Sequence, residues 1–467
     1  MAETRDSEQG GRRGGRRGAR YKKDWTKGSI IGNLLSLAGP MMVTDGLNMM
    51  GPTIDMVWVG RLGAAAIAGV GISGMLVGLV NSARRGLSTG ERAMIARFIG
   101  AGDEEGANHI AQQAFVVTFT FAAFLAAIGV IFARPILLVM GLEADVVEEG
   151  AAYMRIMFVG SLFMSLRIMC ETVMESSGDA MTPMRVAMFF RFFHVALCPF
   201  LVFGWWIFPR MGVTGAAMTN VVSQSLGTAI GLWFLFSGRT RLRLTLKNFH
   251  LDLPIIWRMV KIGIPATITG MERSFANLVM MTFIVPFGTL AVAAHSLCRR
   301  IESFVHMPTQ GLGMASGVLA GQNLGAQQPG RSERTGWLAV GLVTAVMAVA
   351  SIATWFWAEG MVGIFNSEPG LVEIASIFLR IQIAGYLVFG LAAGLAQCLN
   401  GVGDTVITMV VTLVAMWAVQ VPLGYFLPKI GNLGVNGVRW AMVIALVVRA
   451  FTYAVYFRMG RWKRKKV

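Results

Sequence analysis

Apolar residues in this chain gather into twelve long runs, near residues 30–59, 64–90, 108–133, 151–173, 183–206, 212–237, 255–284, 289–316, 333–357, 372–399, 404–428 and 433–457. Each approaches or exceeds the roughly 20 residues that carry a helix across a bilayer, and the gaps between them are short and polar. A longer basic stretch, Ser237 to His250, separates the sixth run from the seventh. The pattern predicts an all-α polytopic membrane protein of twelve transmembrane helices. Its expected organisation is a basic disordered tail (1–28), a six-helix lobe (29–237), a basic linker (238–254), a second six-helix lobe (255–457) and a basic tail (458–467).

The two halves repeat each other. A shift of 225 residues pairs Pro40 with Pro265, Gly63 with Gly288, Gly86 with Gly311, Gly100-Ala101 with Gly325-Ala326 and Gly178-Asp179 with Gly403-Asp404. Further on, Gly212-Val-Thr-Gly215 matches Gly434-Val-Asn-Gly437 at a shift of 222. Ordered matches at one ungapped shift argue for duplication rather than chance coincidence of abundant glycine. Six spans per half is an even number, so both halves insert in the same sense. A pseudo-twofold axis along the membrane normal is expected, an architecture of transporters.

Composition agrees with this reading. Of the 467 residues, 55% are hydrophobic and 14% charged, against about 25% charged in soluble domains; mean hydropathy is +0.61. An ordinary soluble enzyme is excluded. The net charge of +16 would suggest nucleic acid, but residues 1–27 carry nine basic against four acidic groups and residues 458–467 carry six basic groups. Basic tails beside apolar spans fit anionic lipid headgroups and the positive-inside rule. Loops after even-numbered spans hold Arg239, Arg241, Arg243, Lys247, Arg331 and Arg334, whereas several loops after odd-numbered spans are acidic. Both termini are therefore expected in the cytoplasm, with the protein in the inner or plasma membrane and no nucleic-acid partner. The four cysteines lie inside apolar runs without metal-ligand spacing, no phosphate-binding loop is present, and no nucleophile or metal-protease motif supports a membrane-embedded enzyme. No cofactor is expected, and the energy source implied is an ion gradient.

Several motifs resemble those of the multidrug and toxic compound extrusion (MATE) family over most of residues 29–457. They are Ile54-Asp-Met-Val-Trp-Val-Gly-Arg-Leu-Gly63 ending the first span, Ala96-Arg-Phe-Ile-Gly-Ala-Gly-Asp103, and Ser177-Gly-Asp-Ala-Met-Thr-Pro183. Arg300-Ile-Glu-Ser303, Met307-Pro308 and Gly321-Gln-Asn-Leu-Gly-Ala326 complete the set. The resemblance implies a secondary antiporter in which two lobes around a V-shaped cleft rock between outward- and inward-facing states. It would export organic, often cationic, compounds in exchange for protons or sodium ions. A duplicated bundle encloses its own cleft, so a monomer is expected. A lipid-linked oligosaccharide flippase of the same superfamily is the alternative, with Arg84, Arg85, Arg191 and Arg273 as its basis.

Intramembrane charges are the candidate chemistry, because a carboxylate in hydrocarbon costs several kcal/mol unless paired, protonated or hydrated. Asp55 is the leading ion-coupling residue; the bland reading pairs it with Arg61 at the interface. Its 225-shift counterpart is Met280, so coupling belongs to the first half. Asp45, ten residues earlier, points about 280° away around the helix. Pro40 aligns with the family's first-span proline and is a candidate bend. Where the family's proton-linked branch has N-x-x-x-D-P in the fifth span, this chain has His194-Val-Ala-Leu-Cys198-Pro. Histidine thus replaces the asparagine and cysteine the aspartate, and Asn220 stands where that branch has threonine. Arg191, His194 and Cys198 share a helix face, and His194 can take over as titrating partner. The family's sodium-linked branch uses acids that correspond here to Arg273 and Phe389, with Glu272 adjacent, which weakens a sodium site in the second half. In the fourth span Arg167 and Glu171 fit an i,i+4 pair, leaving Glu175 as a candidate cleft acid. Arg300 and Glu302 read either as functional or as an inter-helix pair that holds the second half together.

Overall fold

The computed structural model describes residues 23–62, 64–139, 144–366, 368–431 and 433–465; most of the expected 1–28 tail and the last two residues lie outside them. Twelve long helices follow in order: α1 (Ile30–Val59), α2 (Ala64–Ala101), α3 (Glu104–Val139), α4 (Ala144–Ser177), α5 (Met181–Phe203), α6 (Gly212–Phe236), α7 (Leu253–Ile284), α8 (Thr289–Gly325), α9 (Pro329–Gly363), α10 (Pro369–Gly401), α11 (Thr405–Lys429) and α12 (Val435–Met459). No strand occurs among the described residues. Where lipid offers no hydrogen bonds, a helix satisfies its backbone internally, which is why long apolar runs take this form. Punctuation sits where the chemistry requires it. Asp252 caps α7 by accepting from Ile255 N at 3.1 Å, and Pro329 and Pro369 open α9 and α10. Glycines in the left-handed region end α5 (Gly204, φ 72°) and α12 (Gly460, φ 69°).

Among the described residues, eight helices are apolar enough over an 18-residue stretch to read as spans on their own. Of the remaining helices, α6, α7 and α8 are more polar, and α2, α7 and α8 meet at the seam between the halves. Helices also outrun the apolar runs: α2 continues to Ala101 and α8 to Gly325. Polar residues past the hydrocarbon keep helical hydrogen bonding. Within α11, Ala415–Gln420 forms a π turn between two α-helical stretches.

The seam obeys the duplication contact by contact. Gly86 abuts the backbone of Thr267, and Gly311 abuts the backbone of Met42; both members of the second pair are the first pair exchanged by 225 residues. Gly100 against Gln322 and Gly325 against Arg97 form the same kind of exchanged couple. Residue i touching j′ while j touches i′ is the signature of a twofold interface. Each half also lends its first helix to the other. Leu34, Leu37 and Met41 of α1 pack among Leu312, Leu319, Val343 and Met347, while Met259 and Ile262 of α7 pack among Met94, Ile110 and Val173. Leu34 and Leu37 correspond to Met259 and Ile262 at the same shift of 225. These backbone approaches lie on the half of the seam nearer the chain termini. Arg97 donates to Val402 O (3.1 Å) and Gln322 to Ser176 O (2.7 Å) across the seam at that end.

Candidate ion-coupling site

The first lobe buries an Asp–His–Arg chain between α1 and α5. Asp55 and His194 are 2% and 1% exposed, and His194 Nε2 lies 2.8 Å from Asp55 Oδ1. Cys198 Sγ, one turn further along α5, is 3.9 Å from the same oxygen. On the other side of the imidazole, Arg191 Nη1 is 3.4 Å from His194 Nδ1, and Nη2 reaches Asn48 O at 3.5 Å. Spacing of i, i+3 and i+7 on α5 places all three side chains toward α1. Gly51 makes the room: a β-carbon there would stand 2.9 Å from the guanidinium carbon of Arg191.

This geometry favours one tautomer of His194. A guanidinium only donates, so Nδ1 of His194 accepts from Arg191 and the ring's hydrogen sits on Nε2, donated to the ionised Asp55. Asp55, His194 and Cys198 have ligand atoms within 4.8 Å of one another. The adjacent guanidinium opposes a divalent cation at this trio.

Asn220 on α6 is buried, but no side-chain hydrogen bond ties it to Asp55 among the described residues; its neighbour Thr219 faces the Cys198 thiol instead. Tyr153 of α4 shares the apolar cluster of Val59 and Cys198. A tyrosine inside an acidic-flanked fourth run gave little sign of this in sequence. In the second lobe the position is apolar: Met280 packs with Met416, which lies 222 residues after His194.

The remaining candidates form two further groups. Toward the termini, Arg167 pairs with Glu171 and donates Nε to Gln224 Oε1 at 2.6 Å; Arg92 holds Glu175 at 3.2 Å. Glu91 accepts from Thr118 at 2.6 Å while its other oxygen has no protein partner. Asp45 is partly exposed, has an unpartnered carboxylate oxygen, and has Arg92 and Arg85 as its nearest positive charges. Its neighbour Gly46 touches Met307 of α8, so Asp45 flanks the seam. Pro40 lies within α1, its carbonyl accepting from Thr44 at 3.0 Å.

In the second lobe, Glu302 of α8 pairs with Arg439 of α12 at 2.8 Å and with Arg299 at 3.6 Å. Arg439 is fully buried. It lay unnoticed in the last apolar run, although an arginine at membrane depth is itself a signal. Arg300 is exposed beside this pair. Glu272 is buried with Arg449 and Arg273 as neighbouring charges, and Arg85 and Arg299 also neighbour Arg273.

Comparison with known proteins places this architecture. The MatE family model matches residues 40–200 and 265–426, one copy per half. The chain is 27% identical to the probable multidrug resistance protein YoeA of Bacillus subtilis, covering 92% of this chain and 93% of that one. It is 26% identical to the probable multidrug resistance protein NorM of Thermotoga maritima, with 93% of each covered. Its fold superposes on a crystal structure of MATE in the bent conformation with a TM-score of 0.87 at 21% identity, over 93% of this chain and 96% of that one. Duplicated six-helix lobes, a twofold seam and the double match of the family model together lead to one assignment: the chain belongs to the MatE family of multi-pass membrane transporters.

Proposed function

We propose that this transporter is a proton-coupled antiporter of the inner or plasma membrane that exports lipophilic organic cations. The observation that carries the coupling is the buried Asp55–His194 pair with Arg191 seated against it. In the deprotonated state Arg191 ties α5 to the Asn48 carbonyl of α1. A proton taken up by the pair removes the attraction that holds the guanidinium, so α1 is freed and the lobe changes shape. Sodium, which needs several hard oxygen ligands, finds one carboxylate, one imidazole and a thiol here. Asp45, beside the seam with a spare carboxylate oxygen, supplies the charge for a cationic headgroup. With both termini in the cytoplasm, the closed end of the seam is the cytoplasmic end and the conformation is outward-facing. The transporter acts as a monomer with no cofactor.

Efflux of a fluorescent lipophilic cation from proteoliposomes tests this, with a proton or a sodium gradient imposed separately. Proton-driven transport lost in Asp55→Asn is the expected result; sodium-driven transport in the wild type would overturn it.

One observation favours a second reading. Arg273 has Arg85, Arg299 and Arg449 as neighbouring positive charges and Glu272 as the neighbouring acid. That excess of positive charge suits a phosphate-bearing substrate, as a lipid-linked oligosaccharide flippase would require. Failure of cation efflux under both gradients, with flipping of a pyrophosphate-linked lipid, would select it.

A further inference from the structure

The segment joining the lobes is fastened to α3 by side chains. Asn108 and Thr245 exchange two hydrogen bonds (Thr245 N to Asn108 Oδ1, 2.9 Å; Asn108 Nδ2 to Thr245 Oγ1, 3.1 Å), and Gln112 Nε2 donates to Thr245 O. Gln113 donates to His250 O at 2.8 Å and accepts from Asp252 N at 3.2 Å. At the centre, His109 and His250 stack with ring centroids 4.5 Å apart, and His109 Nε2 lies 3.4 Å from Asp252 Oδ2.

We propose that His109, His250 and Asp252 form a binding site for a divalent transition ion of the zinc class, clamping the inter-lobe segment to α3. Ligand atoms of the three residues lie within 4.8 Å of one another. Two ligands on one tetrahedral zinc are about 3.3 Å apart, close to the 3.4 Å between His109 Nε2 and Asp252 Oδ2; His250 is exposed, and its ligand atom lies within 4.8 Å of both. The hydrogen bonds around the rings favour a metal. His109 Nδ1 faces Gln112 Oε1 at 3.4 Å, and the Gln112 amide is oriented by its donation to Thr245 O. His250 Nδ1 is 3.1 Å from Asn248 O, a carbonyl aimed by the left-handed backbone of Asn248 (φ 56°). Nδ1–H bound to an acceptor, with Nε2 free to ligate, is the usual arrangement of metal-binding histidines. In that tautomer the His109 Nε2 lone pair is directed to the side of Asp252 Oδ2, so one ion could bind both atoms. The site is partly open, so water completes the coordination. Two imidazoles and one carboxylate suit zinc, nickel or copper rather than magnesium or calcium.

The test uses the purified full-length protein with any affinity tag removed. Zinc is titrated against a chromogenic chelator, and cobalt(II) is followed by its visible spectrum. The expected result is one ion per chain, with affinity at least tenfold weaker in His250→Ala and in Asp252→Asn. Asn retains the α7 cap, and His250 is exposed, so both variants keep the fold, as helical circular dichroism checks. Three outcomes would overturn the proposal: no stoichiometric binding, equal binding by the variants, or a thiolate-to-cobalt charge-transfer band, which would move the ion to Cys198. The first of these, with a pH-dependent His109–Asp252 contact, would leave an ordinary ion pair in its place.

Discussion

Adding one methyl group at Gly100 should shift the balance between the two open states of the transporter. A β-carbon on Gly100 would sit 2.6 Å from Gln322 Cα, where ordinary contact begins at 3.4 Å, a shortfall of 0.8 Å from backbone that has no rotamer to change. Overpacking of this kind costs about 1–3 kcal/mol. The contact exists here, where the seam is closed near the termini; if transport opens that end, the contact is lost and the cost falls on one state. A bias of that size changes the population ratio about 5- to 150-fold. Gly325→Ala should act the same way, because its β-carbon would meet the backbone of Arg97 (Cα at 3.0 Å). Gly341→Ala on α9, with nothing within 4 Å, is the control. Spin labels on the two lobes near residues 103 and 328, read by pulsed distance measurements, should show a longer separation in both seam variants and none in the control. If Gly100→Ala leaves the distance distribution unchanged while the protein folds normally, the claim that this seam must separate during transport is refuted.

Further predictions concern the charges. Glu302→Ala should cost about 3–5 kcal/mol because it strands the fully buried Arg439; thermal unfolding in detergent should show it as a large fall in Tm, whereas Glu302→Met with Arg439→Met should recover most of the loss. His194→Asn should abolish the steepest part of the pH profile of transport, and an unchanged profile would remove His194 from the coupling pair. Gly51→Ala should slow transport by displacing Arg191, while substrate binding measured by equilibrium titration stays within about threefold. Asn108→Ala should expose the inter-lobe segment, read as faster tryptic cleavage after Arg243 and Lys247, since it loses both bonds to Thr245.

Much of this was legible in the chain because apolar runs and glycine register are one-dimensional signals. All twelve runs coincide with helices, and the 225-residue shift reappears as exchanged contacts at the seam. Asp55 and His194 are brought together by the resemblance of the first and fifth spans to the family's motifs, and they meet at 2.8 Å. Partners supplied from distant helices were not legible. Arg439 meets Glu302 across 137 residues, and Glu91 finds Thr118 on the next helix. Periodicity says which face a residue occupies, not what faces it. Asn108, His109, Gln112 and Gln113 stand at the start of the third run, and their role depends on where the linker folds back. The π turn of α11 has no composition of its own that marks it.

The exchanged contacts have a consequence for biogenesis. A twofold seam does not distinguish a first half from a second: Gly86 of one first half could meet Met42 of another much as Gly311 does. While the second half is still being synthesised, completed first halves in the same membrane are competing partners. What selects the correct one is tethering, since the short segment from Ser237 to Asp252 holds the matching half at an effective concentration that free chains do not reach. Cutting or greatly lengthening that segment should therefore yield mispaired halves while leaving each half able to fold.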